Sequence, residues 1–443
     1  MTSSFGSDRT VFTGRAPGRL DVMGGIADYS GSLVLQWPIR ESTRVQLQFA
    51  PTQFLHITSS GRGGEDRSVA VPLALLHPAG SAYDEIRAWF AESEARHWAA
   101  YVAGVFAVLA VEAGVRLDRG AVVRVDSDVP EGKGVSSSAA LEGATIRALV
   151  QALSLNLDAR TQALLCQKAE NVVVGAPCGV MDQMAVLCGV PGSLMAMLCQ
   201  PAELQPPVHL PGGLAVFGID SGIRHAVTGS DYTAVRVGAF MGYRILADLA
   251  GLPVVAQGRD GHVVVDDPRW RGYLANVGAE VFQEFEARIP NTLGGAAFLS
   301  RYGGTTDPVT RVERERCYAV WTPTAHPIYE HERVVEWAGE LREASGSPSQ
   351  DELRELGVHL GELMYQSHAS YSACELGSDG TDLLVELARE AGPEAGIYGA
   401  KITGGGSGGT VALLADSAAA PRVRQIAARY REQTGRETYI FEG

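Results

Sequence analysis

Apolar and polar residues alternate in Arg44-Val45-Gln46-Leu47-Gln48-Phe49, the period-two pattern of a strand with one buried face, and the apolar run 54–57 predicts a second strand. The polar stretch 59–67 reads as the loop that follows. Apolar residues at helical spacing predict helices over 83–94 and 98–113. A strand at 121–125 then leads through a glycine- and serine-rich segment into a helix over 141–153. Helices follow at 160–174 and 180–188, and 214–219 has the composition of a buried strand. Nearby, Gln205-Pro206-Pro207 and Pro211-Gly212-Gly213 carry the breakers of a domain junction. The second half predicts helices over 232–250, 270–288, 330–344 and 351–374, with a polar break at 345–350. It closes with a strand at 397–403, a glycine turn, a strand at 411–415, a helix over 421–434 and a strand at 438–441. No internal repeat, low-complexity tail or heptad pattern interrupts this order. The expectation is a mixed α+β protein of two domains, 1–211 and 212–443.

Composition narrows the function classes. A chain of 443 residues exceeds one ordinary core, and 46% hydrophobic with 20% charged residues describes a globular protein. A formal net charge of −14 argues against nucleic-acid binding, which needs basic surface, so an anionic ligand must be held by local features. Six scattered cysteines without a C-x-x-C pair read as reduced thiols. Residues 1–11 lack the apolar run of a signal peptide, and the longest apolar stretch, 101–111, is about half of a membrane span. A soluble, cytoplasmic protein with no membrane partner is expected.

Candidate chemistry centres on Pro130-Glu131-Gly132-Lys133-Gly134-Val135-Ser136-Ser137-Ser138, set between strand and helix. Glycines let a backbone close round an anion, a helix N-terminus offers N–H groups, and a serine hydroxyl can ligate magnesium. The spacing matches neither G-x-x-x-x-G-K-[ST] nor G-x-G-x-x-G. Taken alone, the segment reads equally as a phosphate loop or as a capped helix start. Two further segments change that balance. One is Tyr398-Gly399-Ala400-Lys401-Ile402-Thr403-Gly404-Gly405-Gly406-Ser407-Gly408-Gly409-Thr410, a second glycine turn. The other is Gly14-Arg15-Ala16-Pro17-Gly18-Arg19-Leu20-Asp21-Val22-Met23-Gly24-Gly25-Ile26-Ala27-Asp28-Tyr29, near the N-terminus. In this order the three resemble the GHMP small-molecule kinases, and specifically the galactokinase branch.

The resemblance implies an N-terminal domain carrying the nucleotide loop, a ferredoxin-like C-terminal domain, an active site in the cleft between them, and ATP and Mg2+ as cofactors. It also implies residue roles. Glu170 to Gln183, with Cys178-Gly179-Val180-Met181-Asp182, resembles the galactokinase element that supplies the catalytic aspartate. Asp182 thus becomes the group at the sugar hydroxyl, with Arg19 beside it to hold it ionised and stabilise phosphoryl charge. Gly132, Gly134, Ser136, Ser137 and Ser138 would hold the nucleotide, Ser138 and Glu170 the metal. His97-Trp98-Ala99-Ala100-Tyr101 resembles an adenine-site element and puts Trp98 on the base, although aromatic residues at that spacing are more often core. Asp28, Gly25, Ile26, Tyr232 and Gly405 are implied at the sugar. In the segment 220–236, Asp220 replaces a usual asparagine, and His225 is left as a structural residue.

One departure bears on the acceptor. Galactokinases read Gly-Glu-His-x-Asp-Tyr where this chain reads Gly24-Gly25-Ile26-Ala27-Asp28-Tyr29. The glutamate and histidine that help hold the exocyclic hydroxymethyl end are absent, which suits a pentose. The string from Met23 to Gln36, supported by 364–381, closely resembles L-arabinokinases, and the chain is expected to be a kinase unit without the large preceding domain some of them carry. The implied activity is phosphorylation of the anomeric hydroxyl of L-arabinose, with a galactokinase or broad sugar 1-kinase as alternative and a non-catalytic sugar sensor as the reading from another class. Exchanging Gly25→Glu and Ile26→His is expected to move preference towards galactose.

Overall fold

The computed structural model describes residues 5, 10–60, 66–76, 83–224, 230–258, 261–344 and 348–442. Parts of the expected polar N-terminus, the 59–67 loop and the 345–350 break, together with His225, lie outside these residues. The chain forms two compact units that interleave in sequence. One comprises Met1–Arg19, Pro38–Glu131 and Val135–Gly189; the other comprises Leu20–Trp37, Gly132–Gly134 and Val190–Gly443. Mixed α+β architecture is found as expected.

In the first unit, β2 (Leu33–Phe49), β3 (Phe54–Ser60), β4 (Asp66–Pro72) and β5 (Ala121–Ser127) give the order β4-β3-β5-β2. Strand β3 runs parallel to β5 and antiparallel to β4, and β5 meets β2 antiparallel over Thr43↔Ser127 to Phe49↔Ala121. The helix Ala100–Glu112 is apolar on every side and accordingly buried. Helix Ser137–Leu153 starts at the serines, ahead of the expected 141, because Ala139 and Ala140 extend the buried face. The expected helix over 160–174 is α-helical only through Ala169. It then widens into a π turn, Glu170–Val174, in which Gly175 N–H reaches Glu170 O at 2.9 Å.

The second unit holds an antiparallel sheet in which Ile397–Ile402, Thr410–Asp416, Leu214–Asp220 and Ile440–Glu442 lie in that order. Helices Asp379–Ala391 and Ala420–Thr434 close it with Leu384, Leu387, Val423, Ile426 and Tyr430. A second core, with Tyr243, Trp270, Phe282 and Phe298, lies under helices Ser230–Leu249 and Trp321–Glu343. The first residues of β2 pair here with Met195–Leu198.

Further elements differ from the sequence reading. The 270–288 helix is broken into Leu274–Asn276, Ala279–Phe285 and Glu286–Arg288, because Gly272 and Gly278 adopt φ of 84° and 74°. The helix expected from 330 begins at Trp321 and carries Pro327 inside it, a residue that disguises helical pattern. Strand β1 (Phe12–Met23) escapes period-two reading because Arg19 and Asp21 are buried within it. No helix among the described residues is long and apolar enough to cross a membrane.

Candidate active site

In the first unit, the sequence motifs converge on a carboxylate cluster. Asp182 stands in the first turn of helix Met181–Cys188, where the dipole favours a negative side chain. Arg19, only 2% exposed, reaches Asp182 Oδ1 with Nε at 3.0 Å and Nη2 at 2.7 Å. The arginine main-chain N–H bonds Val135 O at 3.1 Å, tying β1 to the end of the glycine-serine loop. A fixed guanidinium bonded through two nitrogens to a half-buried carboxylate holds that carboxylate in one orientation.

Ser136 precedes the helix with φ 60°, a conformation an L-residue adopts only when its surroundings hold it there. Its hydroxyl is buried without a hydrogen-bond partner. Ser137 and Ser138 occupy the first turn, where N–H groups lack intrahelical acceptors. The Ser138 hydroxyl bonds Glu170, whose position is set by the π turn. Burial, then the charge of Asp182, push the Glu170 carboxyl up to about 7, against the opposing hydrogen bonds from Ser138, Cys178 and Gln183. Gln183 Nε2 bridges Glu170 Oε2 at 2.5 Å and Glu142 Oε2 at 3.2 Å. Burial and the neighbouring Glu170 charge raise Glu142 well above the carboxylate range, and its Oε1 has no partner.

This donor set fits magnesium. The Ser138 hydroxyl and the Glu170 carboxylate are adjacent hard oxygens, and an unpartnered carboxylate oxygen of Glu142 belongs to the same cluster. Among the described residues no group of three or more His, Cys, Asp or Glu is placed to hold a metal ion. Trp98 lies between helices Glu94–His97 and Ala100–Glu112, and its Nε1 is buried without a partner. Sequence reasoning missed Glu142 and Gln183. Glu142 carried a signal, a lone charge in the alanine-rich run 139–144, and Gln183 directly follows Asp182.

The second unit holds the remaining motif residues. Gly132 and Gly134 both adopt φ 70°. Between them Lys133 pairs with Asp220 at 2.5 Å, and Thr410 Oγ1 donates to Lys133 O at 2.7 Å. A Cβ on Gly134 would stand 3.2 Å from Thr403 O, a tight approach, and the φ of 70° favours glycine here. Gly405 is half-buried in the turn between Ile397–Ile402 and Thr410–Asp416.

Residues Gly25–Ser30 form a single 3-10 turn, ended by Gly31 at φ 86°. Asp28 is 7% exposed and accepts Tyr29 N–H at 2.6 Å. Tyr232 packs edge-on against Tyr29 at 5.9 Å, and Arg236, held by Asp307 at 2.8 Å, lies over the same ring. The turn is fastened from below: Asp21 Oδ1 accepts Gly25 N–H at 3.0 Å, Tyr371 Oη accepts Ile26 N–H at 2.8 Å, and Glu330 Oε1 accepts Gly24 N–H at 3.1 Å. Asp21 itself pairs with Lys401, both fully buried, at 2.7 Å. The Ile26 side chain joins Val235, Tyr371, Cys374, Leu376 and Ile402 in a core cluster. It does not line open space, so any effect on a sugar passes through the turn it anchors. The expected glutamate exchange is also corrected. A Cβ at Gly25 would lie 1.5 Å from Tyr371 Oη, and the φ of 42° adds strain. Tyr371, Asp21 and Lys401 gave no local sequence signal of this assembly.

Comparisons with known proteins follow the same lines. Models of the GHMP kinases N terminal domain and the GHMP kinases C terminal domain match residues 100–190 and 353–432. An L-arabinokinase of Arabidopsis thaliana is 41% identical over 99% of this chain, which spans 46% of that relative's length. A galactokinase of Chloroflexus aggregans is 30% identical over 95% of this chain and 88% of its own. The solved structure of Lactococcus lactis galactokinase complexed with galactose has a TM-score of 0.68, covering 98% of this chain and 92% of that one at 20% identity, a likeness of fold.

Proposed function

We propose that this chain, which belongs to the GHMP kinase family, is an ATP-dependent sugar 1-kinase that converts L-arabinose to β-L-arabinose 1-phosphate. The observation that carries phosphoryl transfer is Asp182 clamped by buried Arg19 at 2.7 Å. In this reading Asp182 orients the anomeric hydroxyl and accepts its proton as that oxygen attacks the γ-phosphorus and ADP leaves. Arg19 orients the aspartate and bears charge that develops on the phosphoryl oxygens. Ser136, Ser137, Ser138 and the two loop glycines receive the phosphates, and Trp98 faces the base. Ser138 and Glu170 would hold Mg2+, which supplies charge neutralisation on the phosphates when bound. Asp28, Tyr232 and Gly405 are assigned to the sugar, and the family domains to 1–211 and 212–443. A cytoplasmic location belongs to the same proposal, since all six cysteines are free.

The acceptor is proposed on two grounds: the 41%-identical L-arabinokinase, and a Gly25 that carries no side chain to bond an exocyclic hydroxyl. An unpaired buried hydroxyl costs about 1–3 kcal/mol, so kcat/KM should favour L-arabinose over D-galactose by roughly tenfold to a hundredfold. A coupled assay of ADP formation across a panel of aldoses tests this. Preference for D-galactose would make the chain a galactokinase, and the absence of ADP formation with every aldose would make it a sensor.

The loop residues carry a separate expectation. Ser138→Ala should raise KM for MgATP about tenfold to a hundredfold, the worth of one hydrogen bond to a charged group. Gly134→Val should act in the same direction because a branched side chain there meets Thr403 O. Sugar affinity, measured by calorimetry without nucleotide, should stay near wild type; an equal loss of sugar binding removes the loop assignment.

A further inference from the structure

We propose that Tyr371 is the residue that sets acceptor size, by occupying the volume in which a side chain at position 25 would stand. The proposal rests on the reading of residues 25–28 as the sugar side of a sugar 1-kinase. Tyr371 lies on helix Gln350–Ala373 and is fully buried. Its hydroxyl accepts Ile26 N–H at 2.8 Å and donates to Gly404 O at 3.1 Å. One phenol therefore joins the turn Gly25–Ser30 to the start of the glycine turn that contains Gly405, two segments assigned to the sugar from separate motifs.

The phenol cannot swing aside to admit a side chain. The His326 ring stands edge-on to it at 5.3 Å, and His326 Nδ1 is itself held by Ser370 Oγ at 2.7 Å. Lys401 Nζ lies 5.1 Å from the tyrosine ring centre and is fixed by Asp21. On the other side, a Cβ at Gly25 would meet Tyr371 Cζ at 2.7 Å and Asp21 Oδ2 at 2.8 Å. Positions 25 and 371 thus exclude one another: a tyrosine here demands glycine there. A turn without a side chain at 25 has no group to bond a hydroxymethyl substituent, which makes a pentopyranose the matching acceptor class. Tyr371 acts through the turn and is a positioning residue.

The test uses the full chain as wild type, Tyr371→Phe, Tyr371→Leu, Gly25→Glu/Ile26→His, and the triple variant that adds Tyr371→Leu to that pair. Rates are measured with L-arabinose and D-galactose, and KM for ATP serves as control. Tyr371→Leu alone leaves position 25 bare, so its galactose-to-arabinose ratio of kcat/KM should stay near wild type, whereas the triple variant should move that ratio up about tenfold, the scale on which a pocket reads one small group. Tyr371→Phe keeps the ring and loses both hydrogen bonds, so KM for L-arabinose should rise while kcat and KM for ATP hold. The Gly25→Glu/Ile26→His pair should lose activity or fold poorly, and adding Tyr371→Leu should restore folding, read as the thermal midpoint. A pair variant that is as stable as the triple and as selective for galactose overturns the proposal. So does a folded, active triple variant whose ratio matches wild type. A wild type that phosphorylates no aldose removes the underlying kinase reading instead, and the proposal falls with it.

Discussion

Asp182→Asn is expected to lower kcat for sugar phosphorylation by roughly a hundred- to ten-thousand-fold, the usual contribution of a positioned general base. The substitution preserves volume and leaves an oxygen to accept from Arg19, so the helix start at Met181 and the clamp at 2.7 Å retain their shape. What disappears is the negative charge and with it the proton acceptor. Binding of sugar and of ATP, followed by calorimetry, should therefore change far less than turnover. A loss confined to kcat, with both KM values near wild type, identifies an interaction made mainly in the transition state. Retention of most wild-type kcat would remove Asp182 from the chemistry and leave the ion pair with Arg19 as a structural feature.

The ease with which that residue is found contrasts with the rest of the site. Arg19, Ser138, Glu170 and Asp182 each lie in a short string whose residue types carry their own meaning, and the structure brings Arg19 to Asp182 and Ser138 to Glu170. The strand–loop–helix around the serines was legible for the same reason, since periodicity is local. Tyr371 was not. Its partner Ile26 is 345 positions away, and nothing in a helical tyrosine tells that its hydroxyl will meet a backbone N–H there. Gly25 appeared in the sequence as a missing glutamate, whereas its environment shows a place with no room for one. Glu142 was hidden in a helix by its apolar neighbours, and its proximity to Glu170 required the π turn that no periodicity announces. Prolines disguised the start of Trp321–Glu343, and glycines at positive φ broke the helix expected over 270–288.

The buried pair Asp21–Lys401 carries the second large effect, this time on stability. The two residues are 380 positions apart and both 0% exposed, with Nζ 2.7 Å from Oδ2. Asp21 also accepts Gln36 Nε2 at 2.7 Å and Gly25 N–H at 3.0 Å, while Lys401 Nζ donates to Ile402 O at 2.8 Å. Removing one member leaves a charge in the interior without its counter-charge, a change that costs about 3–5 kcal/mol. Lys401→Met should therefore lower the urea midpoint steeply with little change in slope. The double variant Asp21→Asn/Lys401→Met should recover part of that loss, because the stranded charge is gone and the amide oxygen still accepts from Gly25. The same pair steadies the turn Gly25–Ser30 through the Gly25 bond, so the surviving Lys401→Met enzyme should show a raised KM for the sugar and an ordinary KM for ATP. A midpoint within experimental error of wild type would mean that water reaches Asp21 and compensates it. In that case the pair would not be the anchor beneath the turn, and the fastening would rest on Tyr371 and Glu330 alone.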